Sequence, residues 1–302
     1  MKTRTFRADF LLLLTSAIWG FAFVAQRAGM EHLGPFLFNG IRFALGGLVL
    51  LPVIFFIADV PVTSVRGQFR RALYPDGLVL GVILFVAASF QQTGIVKTTA
   101  GKAGFITGLY VIIVPLTGIF LKKTSGLVNW IGAVLAVFGL YFLSISRDAL
   151  IPSPGDLLVL ISAFFWALHV HSIDYYVDRT GAILLAFMQF MICSFLSLTV
   201  AIVFEPVHIE PVFQAAVPLI YAGIFSAGIG YTLQVVAQRE AHPSHAAIIL
   251  SLEAVFAALG GWILLSEYLN AREIFGCFLM LGGMMISQLR PRKRKRIHLM
   301  EP

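Results

Sequence analysis

The sequence predicts an all-α integral membrane protein with ten transmembrane helices, arranged as two inverted five-helix repeats with cytoplasmic N- and C-termini. Composition is the first reason: 59% of the 302 residues are hydrophobic and only 12% are charged. Charged residues make up about 25% of an ordinary soluble domain. An internal repeat and an uneven distribution of Lys and Arg are the other two reasons.

Ten apolar segments follow one another along the chain, each of roughly the length that crosses a bilayer. A helix needs about 20 apolar residues to span the hydrocarbon core. The segments are 10–28, 36–57, 77–96, 103–121, 127–146, 157–173, 182–203, 214–236, 246–265 and 274–289. The connections are short, and no glycine-rich loop of the Walker type is present. Any driven process would therefore draw its energy from a gradient.

The second half of the chain repeats the first. Residues 88–118 align with residues 231–261 at a constant offset of 143, and Trp19 aligns with Trp166 at an offset of 147. An odd number of spans in each copy would insert the second copy upside down, as in many secondary transporters. The predicted units are a first repeat at 8–146, a second repeat at 155–289 and a basic cytoplasmic tail at 290–302.

The distribution of Lys and Arg predicts the orientation. With the N-terminus in the cytoplasm, sixteen Lys and Arg residues fall on the cytoplasmic side, six of them in the tail, and five fall outside. Short loops rich in Lys and Arg stay in the cytoplasm. We expect the tail to contact anionic membrane lipid, and we expect no nucleic-acid partner.

Glu253 is the predicted polar centre. It lies near the middle of the ninth segment, and Tyr110 is its repeat-mate in the fourth. A charged side chain at that depth costs at least about 2.5 kcal/mol on insertion scales, so such a residue usually has a function or a specific partner. Glu253 suits a proton-coupling group or a counter-ion for a substrate ammonium. A purely structural carboxyl group that ties the ninth segment to its neighbours is equally compatible with the sequence.

A second set of polar residues is predicted to line a cavity. Tyr231 and Gln234 lie three residues apart and so share one face of the eighth segment. Gln91 is the repeat-mate of Gln234. Polar side chains are costly against lipid, so this face should contact protein or water. Hydrogen bonding between helices is the alternative use of these residues.

Aromatic and cationic residues deep in the spans complete the candidate site. Trp19 and Trp166 lie away from the membrane interface, where tryptophan usually anchors, and could form apolar walls. Core packing is the more common role of such residues. His169 follows Trp166 by about one turn and is the better pore candidate among the histidines of the sixth segment. Arg42 is interpreted as structural, in a peripheral second span.

Four motifs resemble the EamA family of the drug/metabolite transporter superfamily. They are AIWGF at 17–21, FNGIRF at 38–43, AGKAGFITGLY at 100–110, and LEAVFAAL at 252–259 followed by LSE at 265–267. The resemblance implies ten helices in two inverted repeats, location in the inner (plasma) membrane, and export of small metabolites such as amino acids. One departure is Ala254, which stands where relatives commonly carry proline. The helix break expected there would therefore be missing.

Two other classes of membrane protein are alternatives to a transporter. A membrane-embedded enzyme, such as a lipid-modifying one, needs a compact set of catalytic or metal-binding residues, and the acids at depth reduce to Glu253. A non-transporting partner or sensor subunit would have no use for polar positions duplicated in both repeats. A passive channel and a homo-oligomer both stay open. We expect a small-molecule substrate, no cofactor, no metal and no enzymatic activity.

Overall fold

A computed structural model describes residues 2–56, 72–118, 126–144, 153–180, 182–238 and 249–287. The predicted basic tail at 290–302, and many of the loop residues that predict the orientation, lie outside these ranges. The described residues form helices and contain no β-strand. The helices are α1 (Lys2–Gly29), α2 (Pro35–Phe56), α3 (Leu78–Ile95), α4 (Ala100–Gly108), α5 (Tyr110–Thr117), α6 (Leu127–Ser144), α7 (Pro154–Thr180), α8 (Ala182–Phe204), α9 (Ile209–Gln214), α10 (Ala216–Ile220), α11 (Tyr231–Gln238), α12 (Glu253–Leu265) and α13 (Ala271–Ser287).

Eight helical segments in this part of the chain are long and apolar enough to cross a membrane. Three of them combine shorter elements: Ala100–Thr117 joins α4 to α5, Ala216–Gln234 joins α10 to α11 through a π-helical stretch at Tyr221–Gly230, and Tyr74–Ile95 extends beyond the N-terminus of α3. Another π-helical stretch, Ala72–Gly77, precedes α3. The helix α12 is a shorter apolar helix, and α13 has 17 residues.

The helical path is interrupted at equivalent positions of the two halves. Leu109 separates α4 from α5, and a turn at Ser251 and Leu252 precedes α12. At both points a backbone N–H bonds three residues back, from Leu109 to Ile106 and from Leu252 to Ile249. Glu253 therefore begins a helix and does not lie in the middle of a continuous one. The expectation that Ala254 removes the break is wrong, because the turn forms without proline.

Small residues allow close contacts along α12. A Cβ atom on Gly20 of α1 would collide with Phe256 and with the backbone of Glu253. On the opposite side, a Cβ on Gly104 of α4 would lie 2.5 Å from Cβ of Ala257. Glycine lets helix backbones approach closely inside a membrane. Consequently α12 packs tightly between α1 and α4.

Two glutamates cap helix N-termini from neighbouring helices. The Glu205 carboxylate, just after α8, accepts hydrogen bonds from the N–H groups of Phe36 and Leu37 at 2.9 and 2.8 Å. The Glu267 carboxylate, just after α12, accepts from the N–H groups of Ala100 and Gly101 at 2.9 and 3.4 Å. Carboxylates satisfy the unpaired N–H groups of a first helical turn and suit its positive dipole. We call the end of the bundle that carries these contacts the capped face.

The crossing of α6 and α13 provides a test of this packing. A Cβ on Gly283 would lie 2.5 Å from the carbonyl oxygen of Gly132, whereas a Cβ on Gly282 would meet nothing within 4 Å. We predict that Gly283→Ala lowers the thermal midpoint of the detergent-purified protein, because overpacking costs about 1–3 kcal/mol. Gly282→Ala is the matched control and should leave the midpoint unchanged or raise it slightly. Equal midpoints for both variants would contradict the packing.

Candidate functional site

A cavity of about 480 Å³ lies between the helices of the two halves. Every residue that the sequence predicts for the site lies on its wall, namely Trp19, Gln91, Tyr110, Trp166, His169, Tyr231, Gln234 and Glu253. These residues come from α1, α3, α5, α7, α11 and α12. The structure thus brings the predicted residues together at one place, while their roles stay predictions.

A chain of hydrogen bonds runs along one wall of the cavity. The indole Nε1 of Trp166 donates to Oε1 of Gln91 at 2.7 Å, and Nε2 of Gln91 donates to Oε1 of Gln26 at 2.9 Å. Gln26 in turn donates to the carbonyl oxygen of Ala22 at 3.1 Å. The chain joins α7, α3 and α1, so these side chains are held in fixed orientations and each polar group has a partner.

The opposite tryptophan is anchored differently. The indole Nε1 of Trp19 donates to the carbonyl oxygen of Ser226 at 3.2 Å. That carbonyl lies in the π-helical stretch, and a Cβ on Gly230 in the same stretch would lie 2.7 Å from the indole nitrogen of Trp19. The absence of a side chain at Gly230 therefore makes room for the tryptophan beside the backbone.

Glu253 is buried at the edge of this cavity, with only 5% of its surface exposed. No hydrogen bond or ion pair joins its carboxyl group to another residue in the described ranges. Its repeat-mate Tyr110 also lines the cavity and is partly exposed to it. A carboxyl group buried without a partner is costly, so its place on a cavity wall leaves it available to a ligand.

A second polar cluster on the wall joins the predicted residue His169 to Gln189 and Arg42, which were not predicted to belong to the site. His169 Nε2 and Gln189 Oε1 lie 2.6 Å apart. Arg42 is 6% exposed, lines the same cavity, and lies with its guanidinium carbon 4.6 Å from the ring centre of Phe43. The expectation that the second span is peripheral is wrong for Arg42, because the tight packing of α2 against α8 turns this residue towards the centre.

The wall of the cavity is paired across the two halves. Twenty of the 26 lining residues form ten pairs at the offsets of 147 and 143 found in the sequence. The pairs are Trp19 with Trp166, Ala22 with His169, Phe23 with Val170, Gln26 with Ile173, Arg42 with Gln189, Phe43 with Phe190, Leu84 with Ala227, Gln91 with Gln234, Thr107 with Leu250, and Tyr110 with Glu253. Corresponding helices therefore contribute corresponding residues to one shared site.

The pairing does not extend to every residue of the cavity wall. Val114 and Pro115 of α5 line the cavity, but their repeat-mates Ala257 and Ala258 do not. Ala257 and Ala258 instead pack against α4, where a Cβ on Gly101 would lie 3.1 Å from the Cα of Ala258. Along α12 the wall of the cavity therefore ends at Glu253, whereas along α5 it continues to Val114 and Pro115, away from the capped face.

The signal that could have found the missed residues was present in the sequence. Gln26, Arg42, Thr107 and Gln189 are polar residues within predicted spans. Each of them is the repeat-mate of another residue on the wall. Applying the repeat offset to every polar residue at depth, and not only to the residues with the strongest chemistry, would have added them.

Comparisons with known proteins agree with this architecture. The profile of the EamA-like transporter family matches residues 6–145 and again residues 153–288. The chain belongs to this family, and it is a multi-pass membrane protein and a membrane transporter. Because the family and the relatives described next are named as transporters, the comparisons point away from an enzyme.

Individual relatives extend the comparison. The chain is 32% identical over 284 residues to an uncharacterized transporter of Archaeoglobus fulgidus, covering 94% of this chain and 86% of the relative. It is 30% identical over 165 residues to a protein of Salmonella typhimurium named "probable amino-acid metabolite efflux pump", covering 52% of this chain and 50% of that protein. A solved crystal structure matches with a TM-score of 0.65 at 18% identity, covering 93% of this chain and 96% of that one, which shows the shared fold.

The hydrogen bond between Trp166 and Gln91 yields a prediction. Trp166→Phe keeps an aromatic ring but removes the donor, so the Oε1 atom of Gln91 loses its partner. We expect the free energy of unfolding to fall by about 1 kcal/mol, the typical contribution of a hydrogen bond between membrane helices. The change would appear as a lower thermal midpoint in detergent. Trp130→Phe is the control, because Trp130 is 51% exposed on α6. Equal midpoints for the two variants would show that the Trp166 bond contributes nothing.

Proposed function

We propose that this protein is a secondary-active transporter that exports small metabolites, such as amino acids, by alternating access to the central cavity. The observation that carries the proposal is the contrast between the wall of the cavity and its access. Most of the wall is paired across the two halves, whereas Val114 and Pro115 of α5 line the cavity without their mates Ala257 and Ala258 of α12, which pack against α4. Such a contrast is expected when two similar halves exchange roles during transport.

The proposed architecture is that of ten transmembrane helices in two inverted five-helix repeats, at 8–146 and 155–289, in the cell membrane. The paired helix interruptions at Leu109 and Leu252 support it. So does the match of the family profile to two separate stretches of the chain. The excess of Lys and Arg supports cytoplasmic N- and C-termini. In that orientation the capped face is the outer face, and the cavity extends towards the cytoplasm.

The size and chemistry of the cavity support a small organic cargo. Sites for small molecules usually measure about 300–1,000 Å³ and combine apolar walls with a few polar groups. The cavity of about 480 Å³ fits this description, with aromatic residues beside Gln91, Gln234 and Glu253. The relative named for amino-acid metabolite efflux supports amino acids as the first candidates.

Glu253 is the proposed central residue of the site. Its carboxyl group has no protein partner in the described ranges and lines the cavity. It begins α12, which packs closely against α1 and α4. A ligand or a proton on Glu253 would therefore act on the helix that closes the cavity towards the capped face. This position suits a residue that couples binding to the change of access.

The test is export by bacteria that overproduce the protein, measured as resistance to a panel of toxic amino acids, analogues and amphiphilic drugs. We predict selective resistance to part of the panel, and its loss in Glu253→Gln, which keeps the shape but removes the charge. Glu210→Gln is the matched control, since it is the same substitution at an exposed residue. It should retain resistance at equal membrane abundance.

Other outcomes distinguish the alternatives. Resistance that survives Glu253→Gln would leave an exporter without a functional role for this residue. Uptake and counterflow of a labelled substrate in vesicles would separate a carrier from a passive channel, because only a carrier gives counterflow. No flux of any compound, with the protein correctly inserted, would contradict transport and favour a partner or sensor subunit.

A further inference from the structure

A basic and an acidic side chain, both buried, line the same cavity without a partner among the residues that the structure describes. Arg42 and Glu253 are 6% and 5% exposed, and neither forms an ion pair with another residue in the described part of the chain. The guanidinium carbon of Arg42 lies 4.6 Å from the ring centre of Phe43 and 5.9 Å from that of Phe38. Buried charges are normally paired, so both positions await a partner.

Arg42 and Gln189 both carry buried donor atoms that have no partner among the described residues. The Nε atom of Arg42 is buried and has no hydrogen-bond partner among the described residues. The Nε2 atom of Gln189 is likewise buried without a partner, whereas Oε1 of the same amide is occupied by His169 at 2.6 Å. Because Oε1 of Gln189 contacts His169, the two N–H groups on Nε2 of Gln189 have no partner among the described residues. A group that accepts several hydrogen bonds and carries negative charge, such as a carboxylate, would satisfy both residues.

The two residues with free donors occupy corresponding positions. Gln189 lies 147 residues after Arg42, so the pair is one of the ten on the wall of the cavity. They lie on α2 and α8, which pack against each other: Ser194 of α8 donates to the carbonyl oxygen of Gly40 of α2 at 2.7 Å. Phe43 and Phe190 also meet, with ring centres 5.6 Å apart. Rigid packing behind the donors keeps them directed at the cavity.

We propose that the cavity recognises zwitterionic amino acids by both charged ends, with the carboxylate bound by Arg42 and Gln189 and the ammonium group bound by Glu253. The inference rests on the proposed transport function and assigns its substrate class. A zwitterion would neutralise both buried charges at once. An amine or an acid alone would leave one protein charge buried and unpaired, which is costly. The side chain of the substrate would lie against the aromatic wall at Trp166, Phe190 and Tyr231.

The test compares three ligands of similar shape, binding to the purified full-length protein in detergent by calorimetry. The ligands are phenylalanine, phenethylamine, which lacks the carboxylate, and 3-phenylpropanoate, which lacks the ammonium group. We expect wild type to bind phenylalanine at least about tenfold more tightly than either analogue, since a hydrogen bond to a charged group contributes about that much.

Two variants should show opposite selectivity. Arg42→Gln is expected to weaken the binding of phenylalanine and 3-phenylpropanoate by about tenfold or more and to leave the binding of phenethylamine unchanged. Glu253→Gln should weaken the binding of phenylalanine and phenethylamine and leave the binding of 3-phenylpropanoate unchanged. Arg42→Lys keeps the charge but loses the planar fork, so it should give a smaller loss of the same selectivity. Glu210→Gln, at an exposed carboxylate, should bind all three ligands as wild type does.

Several results would overturn the inference. Equal weakening of all three ligands by Arg42→Gln or Arg42→Lys would show that Arg42 only supports the packing of α2. Absence of binding of any of the three to wild type would also contradict it. If that protein still gave resistance to other compounds in the export assay, the transport function would stand and only the amino-acid assignment would fail. Absence of both binding and export would reject the two proposals together.

Discussion

The close packing of α12 between α1 and α4 is the contact on which the rest of the site depends. Gly20 and Gly104 allow this approach because any side chain there would collide with α12. Glu267 then joins the end of α12 to the first turn of α4 through two backbone N–H groups. With α12 fixed in this way, Glu253 at its start lies at the cavity wall, while Ala257 and Ala258 pack against α4 outside the cavity.

The same contacts explain how one site could serve two sides of a membrane. The wall is built from corresponding residues of the two halves, so it can remain similar in composition when the halves exchange conformations. Closure depends on a few contacts of small residues and on one carboxylate bound to a helix terminus, and none of these lies inside the cavity. Such contacts can open without rebuilding the site. In the proposed transport cycle the residues of the wall stay the same, and access depends on helix packing outside the cavity.

The sequence predicted which residues line the cavity better than it predicted how they are arranged. Glu253, Tyr110, Gln91 and Gln234 could be predicted because a polar group within a span is costly and because the repeat offset relates pairs of them. The helix start at Glu253 could not, since a turn at Ser251 and Leu252 forms without proline or glycine. The position of Arg42 on the central cavity could not be predicted, because periodicity gives the face of a helix but not which helices surround it. The packing of α12 against α4 depends on contacts such as Gly101 with Ala258, which no local pattern encodes.

The most direct test of alternating access is the reactivity of a single cysteine in the cavity from each side of the membrane. Ser226→Cys places a thiol on the wall, and the native Cys193 and Cys277 are buried. A membrane-impermeant maleimide would be applied to inside-out vesicles and to intact cells. We predict labelling from the cytoplasmic side in the absence of substrate, and a shift of labelling towards the outside when transported substrate is added. Equal labelling from both sides at once, or labelling that substrate leaves unchanged, would contradict it.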